Sequence, residues 1–236
     1  MRDQDIALRY LTGELTGGYR PDAVGKKFTP DGAPLSCPGC TTVCHVAPGS
    51  DAFAALVEAQ QRLKAGPLAG AFTYLPADSL HMTIFEGVID SSRTPERWPR
   101  HLPTEAPIAQ VAEDAAARLQ GRDLEMTFAA RPVEVFAGFT VGMTGATKAE
   151  ETHLRQTRDT LRDALNIHRP DHDSYQFHIT LAYLLRWLDR DEARQVIDLS
   201  ADVAKVMCGK VPEISLGPIE LCRFETMHRF EPIKRL

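Results

Sequence analysis

Two stretches decide how this chain folds: SLHMTIFEGV, residues 79–88, and YQFHITLAYLL, residues 175–185. Each contains His-x-Thr, as His81-Met82-Thr83 and as His178-Ile179-Thr180. Both are apolar, rich in β-branched and aromatic residues, and read as strands near 80–89 and 175–185. Successive side chains of a strand point to opposite faces, so residues two apart share one. Ser79, His81, Thr83 and Phe85 then share a face, as do Gln176, His178, Thr180 and Ala182. The opposite faces carry Leu80, Met82 and Ile84, and Phe177, Ile179 and Leu181. Those large apolar sets require helices packed on them, which leaves the imidazoles and hydroxyls to line a cleft.

Outward from the first motif, TTVCHV at 41–46 reads as a strand, and Ser50 caps a helix over 51–65 that stops at Gly66-Pro67. A short strand near 71–75 leads into the motif. Residues 90–104, with three prolines, connect the halves. A helix over 104–119 ends at Gly121, and strands at 123–130 and 133–143 meet at Arg131-Pro132. A helix over 148–166 and a loop at 167–174 then lead to the second motif. A helix at 190–207 and strands near 213–216 and 219–225 complete the chain. Both halves run strand, helix, His-x-Thr strand, a likeness of pattern rather than of identity. The expected fold is α+β: bilobal and pseudo-twofold, with antiparallel-rich sheets, helices on the outer faces and a central cleft. Residues 1–40 read as an N-terminal extension with a hairpin around Phe28-Thr29-Pro30-Asp31-Gly32. Residues 41–236 read as a single domain of two lobes.

The bulk properties narrow the function. The 236 residues are 43% hydrophobic, enough for a core without staples, and carry a net charge of −5. That acidic balance argues against an extended nucleic-acid partner, which needs a basic face. A small anionic ligand in a local pocket is compatible with it. No apolar stretch reaches membrane-spanning length, and MRDQDIALRYLTGELTGG lacks a signal-type apolar run. Five cysteines without such a signal fit free thiols in the cytoplasm.

Histidine has an ordinary pKa near 6.5, so of two copies one can be neutral and the other protonated at neutral pH. One imidazole can take a proton from an attacking water or hydroxyl while the other protonates the departing oxygen. Two threonine hydroxyls can hold the non-bridging oxygens of a phosphodiester between them. This chemistry requires neither metal nor cofactor. A single His-x-Thr is common in proteins. Two copies in the same strand context read as a paired site rather than as histidines on separate surfaces.

The two motifs resemble those of the 2H phosphoesterase superfamily, which includes RNA 2′,3′-cyclic phosphodiesterases and bacterial 2′-5′ RNA ligases. With GKKFTPDG at 25–32 and CRFETM at 222–227, the flanks are most similar to a bacterial branch known as DUF1868. The resemblance implies a bilobal fold with the motif strands side by side at the floor of an open cleft. It also implies His81, Thr83, His178 and Thr180 as a catalytic quartet that works without metal. The expected activity is general acid/base cleavage of a small cyclic nucleotide or an RNA-terminal 2′,3′-cyclic phosphodiester. The alternative is a non-catalytic module that holds a nucleoside phosphate in the same cleft.

Ser79, Gln176, Tyr175 and His45 are candidate substrate contacts. By parity His45 can face the cleft, whereas Tyr175 and Tyr183, odd relative to His178, point to the other face and suit core or rim roles. Cys37-Pro38-Gly39-Cys40 followed by Cys44-His45 looks like a zinc knuckle, but Cys44 and His45 are adjacent on a strand and diverge. A turn opening a strand with buried thiols is the preferred reading. His168, Asp171, His172 and Asp173 have the composition of a solvated loop more than of a metal site. Trp98 and Trp187 suit core or interface positions. Arg93, Arg186 and Arg223 lie close enough in sequence to meet a phosphate.

Overall fold

The chain is described here from a computed structural model that covers residues 4–122, 124 and 127–236. Local signals fix most elements. Helix α1 spans Gln4–Leu11. The first strand is β1 (Gly39–His45), followed by α2 (Asp51–Lys64), whose Ser50 cap accepts the Phe53 N–H at 3.1 Å. Next come β2 (Phe72–Tyr74), β3 (His81–Ile89) and α3 (Ile108–Arg118). Strands β4 (Phe128–Phe136) and β5 (Thr140–Gly145) precede α4 (Lys148–Leu165). Thr147 caps α4, and Asn166 ends it in the left-handed conformation at φ 54°. Then follow β6 (His178–Thr180), β7 (Ala182–Leu184) and α5 (Arg190–Lys210), the helix opened by an Asp189/Glu192 capping box. Strands β8 (Ile214–Leu216), β9 (Glu220–Thr226) and β10 (Arg229–Arg235) close the chain.

Eight strands form one antiparallel sheet in the order β10-β9-β1-β3-β6-β5-β4-β8, and β2 pairs with β7 separately. The fold is α+β, and its pseudo-symmetry is visible in the strand order. Read outward from the centre, β3, β1, β9, β10 mirror β6, β5, β4, β8. Each half contributes strand, helix, motif strand: β1, α2, β3 and β5, α4, β6. The halves meet where Met82 of β3 pairs with Ile179 of β6. Met82, Ile84, Ile179 and Leu181 are fully buried in the main core with side chains of α2, α3, α4 and α5. Burying one such side chain stabilises by about 1.5–3 kcal/mol, so the register that puts Met82 and Ile179 inside is strongly favoured. The His-x-Thr side chains necessarily take the other face.

Five expectations about elements are corrected. Arg131-Pro132 is not a turn; it lies within β4. Pro132 is tolerated because β8 pairs only with residues 128–130 of β4, and a register shift follows Pro132 on the β5 side. The turn comes later, at Ala137 (φ 51°) and Gly138 (φ 78°). The second motif strand is two short strands, because β6 pairs within the large sheet and β7 turns away to join β2. The N-terminal extension contains a helix, and a strand, β10, follows β9. Around Phe28, Leu35 N–H donates to the Lys27 carbonyl and Thr29 N–H to Ala33, both at 2.8 Å, in a tight turn without regular strands. The turn buries Phe28 completely. Residues 123, 125 and 126 of the expected 123–130 strand lie outside the described residues. No helix among the described residues is long and apolar enough to cross a membrane.

Candidate active site

The site is built around the Met82–Ile179 pair. Antiparallel pairing there puts His81 across from Thr180 and Thr83 across from His178. The four side chains point to the face opposite the core, with the histidines on one diagonal and the threonines on the other. Diagonal neighbours on one sheet face stand about 7–8 Å apart, enough for a phosphate group between two imidazoles. All four residues are partly exposed and line a cleft of about 270 Å³. Neither threonine hydroxyl makes a hydrogen bond among the described residues, so both are available to a ligand.

Both imidazoles are oriented in the same way. His81 Nδ1 lies 2.7 Å from the Ser79 carbonyl and His178 Nδ1 lies 2.9 Å from the Gln176 carbonyl. A carbonyl can only accept, so each Nδ1 carries the proton, and in the neutral ring Nε2 holds the lone pair. Ser79 and Gln176 thus act through their main chains. The Ser79 side chain is buried and donates to the Pro76 carbonyl at 2.8 Å. The Gln176 side chain is exposed and lies outside the cleft that holds the quartet. Burial lowers the His81 pKa to about 4, and the neighbouring His45 and His178 add to the shift.

His45 sits beside His81 in the β1–β3 register, with ring centroids 5.9 Å apart. Its Nδ1 is held at 2.6 Å by Glu220 Oε2. His45, Glu220 and Cys222 have donor atoms within 4.8 Å of one another, the one such group among the described residues able to hold a metal ion. The Cys37-to-His45 cluster does not converge. Cys37 packs with Phe28, Leu75, Phe224 and Met227, while Cys40 and Cys44 belong to the main core. Burial pushes the Cys40 thiol up to about 11 and raises Cys44 further.

Parity fails in an informative way at β3. Between Thr83 and Val88 the strand gains two residues on β1: Val43 faces Thr83, Thr42 faces Phe85, and Cys40 faces Val88. These bulges reset the alternation. Phe85, expected beside His81, turns into the core at 0% exposure, and Glu86 turns into the cleft. Side chains take up backbone groups at the bulges. Thr42 Oγ1 accepts the Phe85 N–H at 3.2 Å and donates to the Phe85 carbonyl at 3.0 Å. Arg158 Nη1 donates to the Ile84 carbonyl at 2.7 Å. Gly87 is required by close approach: a Cβ there would stand 2.1 Å from the Cys40 carbonyl oxygen.

Tyr175 and Tyr183 also escape the parity expectation and line the cleft. Tyr175 precedes β6 rather than belonging to it, and the break at Leu181 frees Tyr183 from the alternation of β6. The Tyr175 hydroxyl donates to the Thr83 carbonyl at 3.4 Å, and burial raises its pKa. Ala182, expected on the His178 face, is instead buried opposite Tyr74. One end of the cleft is aromatic: the Phe230 ring lies 4.2 Å from the His81 ring, and Phe224 lies 4.9 Å from Phe230. The other end holds Glu86, Arg97 and Arg169.

None of the arginines singled out in the sequence lines the cleft. Arg93 bonds Asp90 and the Thr104 and Ala106 carbonyls, Arg186 pairs with Glu192, and Arg223 with Glu231. Arg97 and Arg169 were missed because loops bring them in, and Phe230 because β10 was not anticipated. Asp171 bonds both arginines, while His172 pairs with Asp159 and His168 with Asn166, so the 168–173 cluster does not converge on a metal. Trp98 is a core residue, and Trp187 packs on Gly13.

Residues 27–138 match the family model 2H-phosphodiest, described as a domain of unknown function, DUF1868. The chain belongs to the DUF1868 branch of the 2H phosphoesterase superfamily. The matched span of this 2H protein includes His81 and Thr83 but ends before His178. The crystal structure of a conserved protein of unknown function from Agrobacterium tumefaciens is similar over the whole length. It shares 31% identity, covers 99% of each chain and has a TM-score of 0.92. No curated protein matches the chain.

Proposed function

We propose that this DUF1868 protein is a metal-independent phosphoesterase that cleaves a small cyclic nucleotide or an RNA-terminal 2′,3′-cyclic phosphodiester. The observation that carries the reading is the diagonal arrangement of two imidazoles and two unbonded hydroxyls around the Met82–Ile179 pair, inside a cleft. His81, kept neutral by burial, is the base: its Nε2 takes a proton from the attacking water. As the bond between phosphorus and the leaving oxygen breaks, His178 gives that oxygen a proton, and a phosphomonoester results. Thr83 and Thr180 donate to the non-bridging oxygens and hold the group for in-line attack. The aromatic end formed by Phe230 and Phe224 suits a nucleobase.

The test is turnover of a panel of nucleoside 2′,3′-cyclic monophosphates by the wild type and by His81→Ala and His178→Ala. Each substitution is expected to lower kcat by at least about 10²–10⁴-fold, with the fold intact by circular dichroism. Wild-type activity is expected to survive EDTA. Binding of nucleoside phosphates with no turnover on any member of the panel would reduce the protein to a binding module. Activity lost to EDTA and restored by zinc would overturn the metal-free mechanism.

A further inference from the structure

The Glu86 end of the cleft contains an arginine cluster that acid/base chemistry does not need. The Arg169 side chain is only 7% exposed, and its Nη2 lies 3.2 Å from Glu86 Oε1. Its Nε lies 3.1 Å from Asp171 Oδ1, and Arg97 Nη2 lies 3.1 Å from Asp171 Oδ2. Behind them Arg158, 1% exposed, stands 3.5 Å from Glu86 Oε2 and stacks on the Tyr175 ring at 3.8 Å. Two carboxylates thus fix three guanidinium groups, and the cluster is left with one excess positive charge.

The bonds made by Arg169 use Nε and Nη2, and that made by Arg97 uses Nη2. The Nη1 of each arginine makes no hydrogen bond among the described residues, and both side chains line the cleft. A network serving only to tie a loop to β3 would have no reason to leave two guanidinium Nη1 groups unbonded on the wall of a cavity. Arg169, held on its Nε edge by carboxylates, is also pre-oriented, so little rotamer freedom is lost when its Nη1 meets an anion.

We infer that Arg97 and Arg169 form a second-anion subsite, and that the substrate carries a terminal phosphate besides the phosphodiester that is cleaved. Glu86 lies three residues beyond Thr83 on β3, which puts the subsite within about 10 Å of the quartet, on the scale of one nucleoside. The ligand class is a nucleoside phosphodiester bearing a 5′-phosphate or diphosphate. This deepens the phosphoesterase reading and rests on it for the position of the first phosphate.

The test compares adenosine 3′-monophosphate with adenosine 3′,5′-bisphosphate by calorimetry, two ligands that do not react. The bisphosphate is expected to bind about tenfold tighter or more. Arg97→Gln, a substitution at a partly exposed side chain, is expected to bring that ratio below about threefold. Arg186→Gln, on a surface arginine outside the cleft, keeps it. Equal affinity for the two ligands, or a ratio unchanged in Arg97→Gln, overturns the subsite. A second arm measures kcat/KM for adenosine 2′,3′-cyclic phosphate with and without a 5′-phosphate. Turnover of both without preference sinks the subsite alone. A preserved binding ratio with no turnover of either sinks the phosphoesterase reading and leaves the subsite standing.

Discussion

The depressed pKa of His81 makes a prediction that needs no substrate. The ring is only partly exposed and its neighbours include two other histidines, so protonation is disfavoured and the folded pKa falls from 6.5 to about 4. Between those values the unfolded chain binds a proton at this site that the native protein refuses. Stability from this group is therefore complete above pH 6.5 and is lost as pH falls towards 4. A shift of about 2.5 units corresponds to roughly 3 kcal/mol, and about 2–3 after allowing for the ring's contact with solvent. The assay is denaturant unfolding of wild type and His81→Asn at half-unit steps from pH 7 to pH 4.5. The stability difference between them should move against the wild type by that amount as pH falls. Nitrogen-detected NMR should show His81 neutral at pH 5.5, with the proton on Nδ1. A His81 titration midpoint near 6.5, or parallel stability curves, would refute both the desolvation argument and the assignment of His81 as the base.

Three further outcomes follow from the packing around the site. Arg158→Met strips the Ile84 carbonyl of its 2.7 Å donor and removes one of the two cations facing Glu86. It should cost about 3–5 kcal/mol, seen as a fall in Tm of roughly 6–10 °C, and a fall below about 2 °C would show that the buried ion is dispensable. Gly87→Ala drives a Cβ to 2.1 Å from the Cys40 carbonyl, so β1 and β3 must separate. A loss of about 1–3 kcal/mol in denaturant unfolding is expected, with nucleotide affinity falling alongside it, and a neutral variant would mean that the bulge is soft. Thr83→Val and Thr180→Val each remove a hydroxyl that bonds nothing else in the described protein. Each should leave Tm within about 1 °C while lowering kcat by about 10–100-fold, and unchanged turnover would exclude the hydroxyls from catalysis.

What the sequence determined is the part that follows from local alternation. Met82 and Ile179 had to be buried, so His81, Thr83, His178 and Thr180 had to face the other way, and the repeated strand-helix-strand order announced the pseudo-symmetry. Caps at Ser50, Thr147 and Asp189 set the starts of three helices through hydrogen bonds spanning only a few residues. Period-two reasoning failed wherever a bulge or a strand break reset the count. Phe85 and Glu86 exchanged faces because β3 is longer than the β1 segment that it pairs with, and Tyr175 and Tyr183 entered the cleft because β6 is only three residues long. Arg97, Arg169 and Phe230 reach the site through contacts distant in sequence, between loops and strands whose meeting no local pattern encodes. The quartet was legible because a strand carries its own face selection. The rest of the cleft is a product of tertiary packing, where register shifts and loop docking decide which side chains meet.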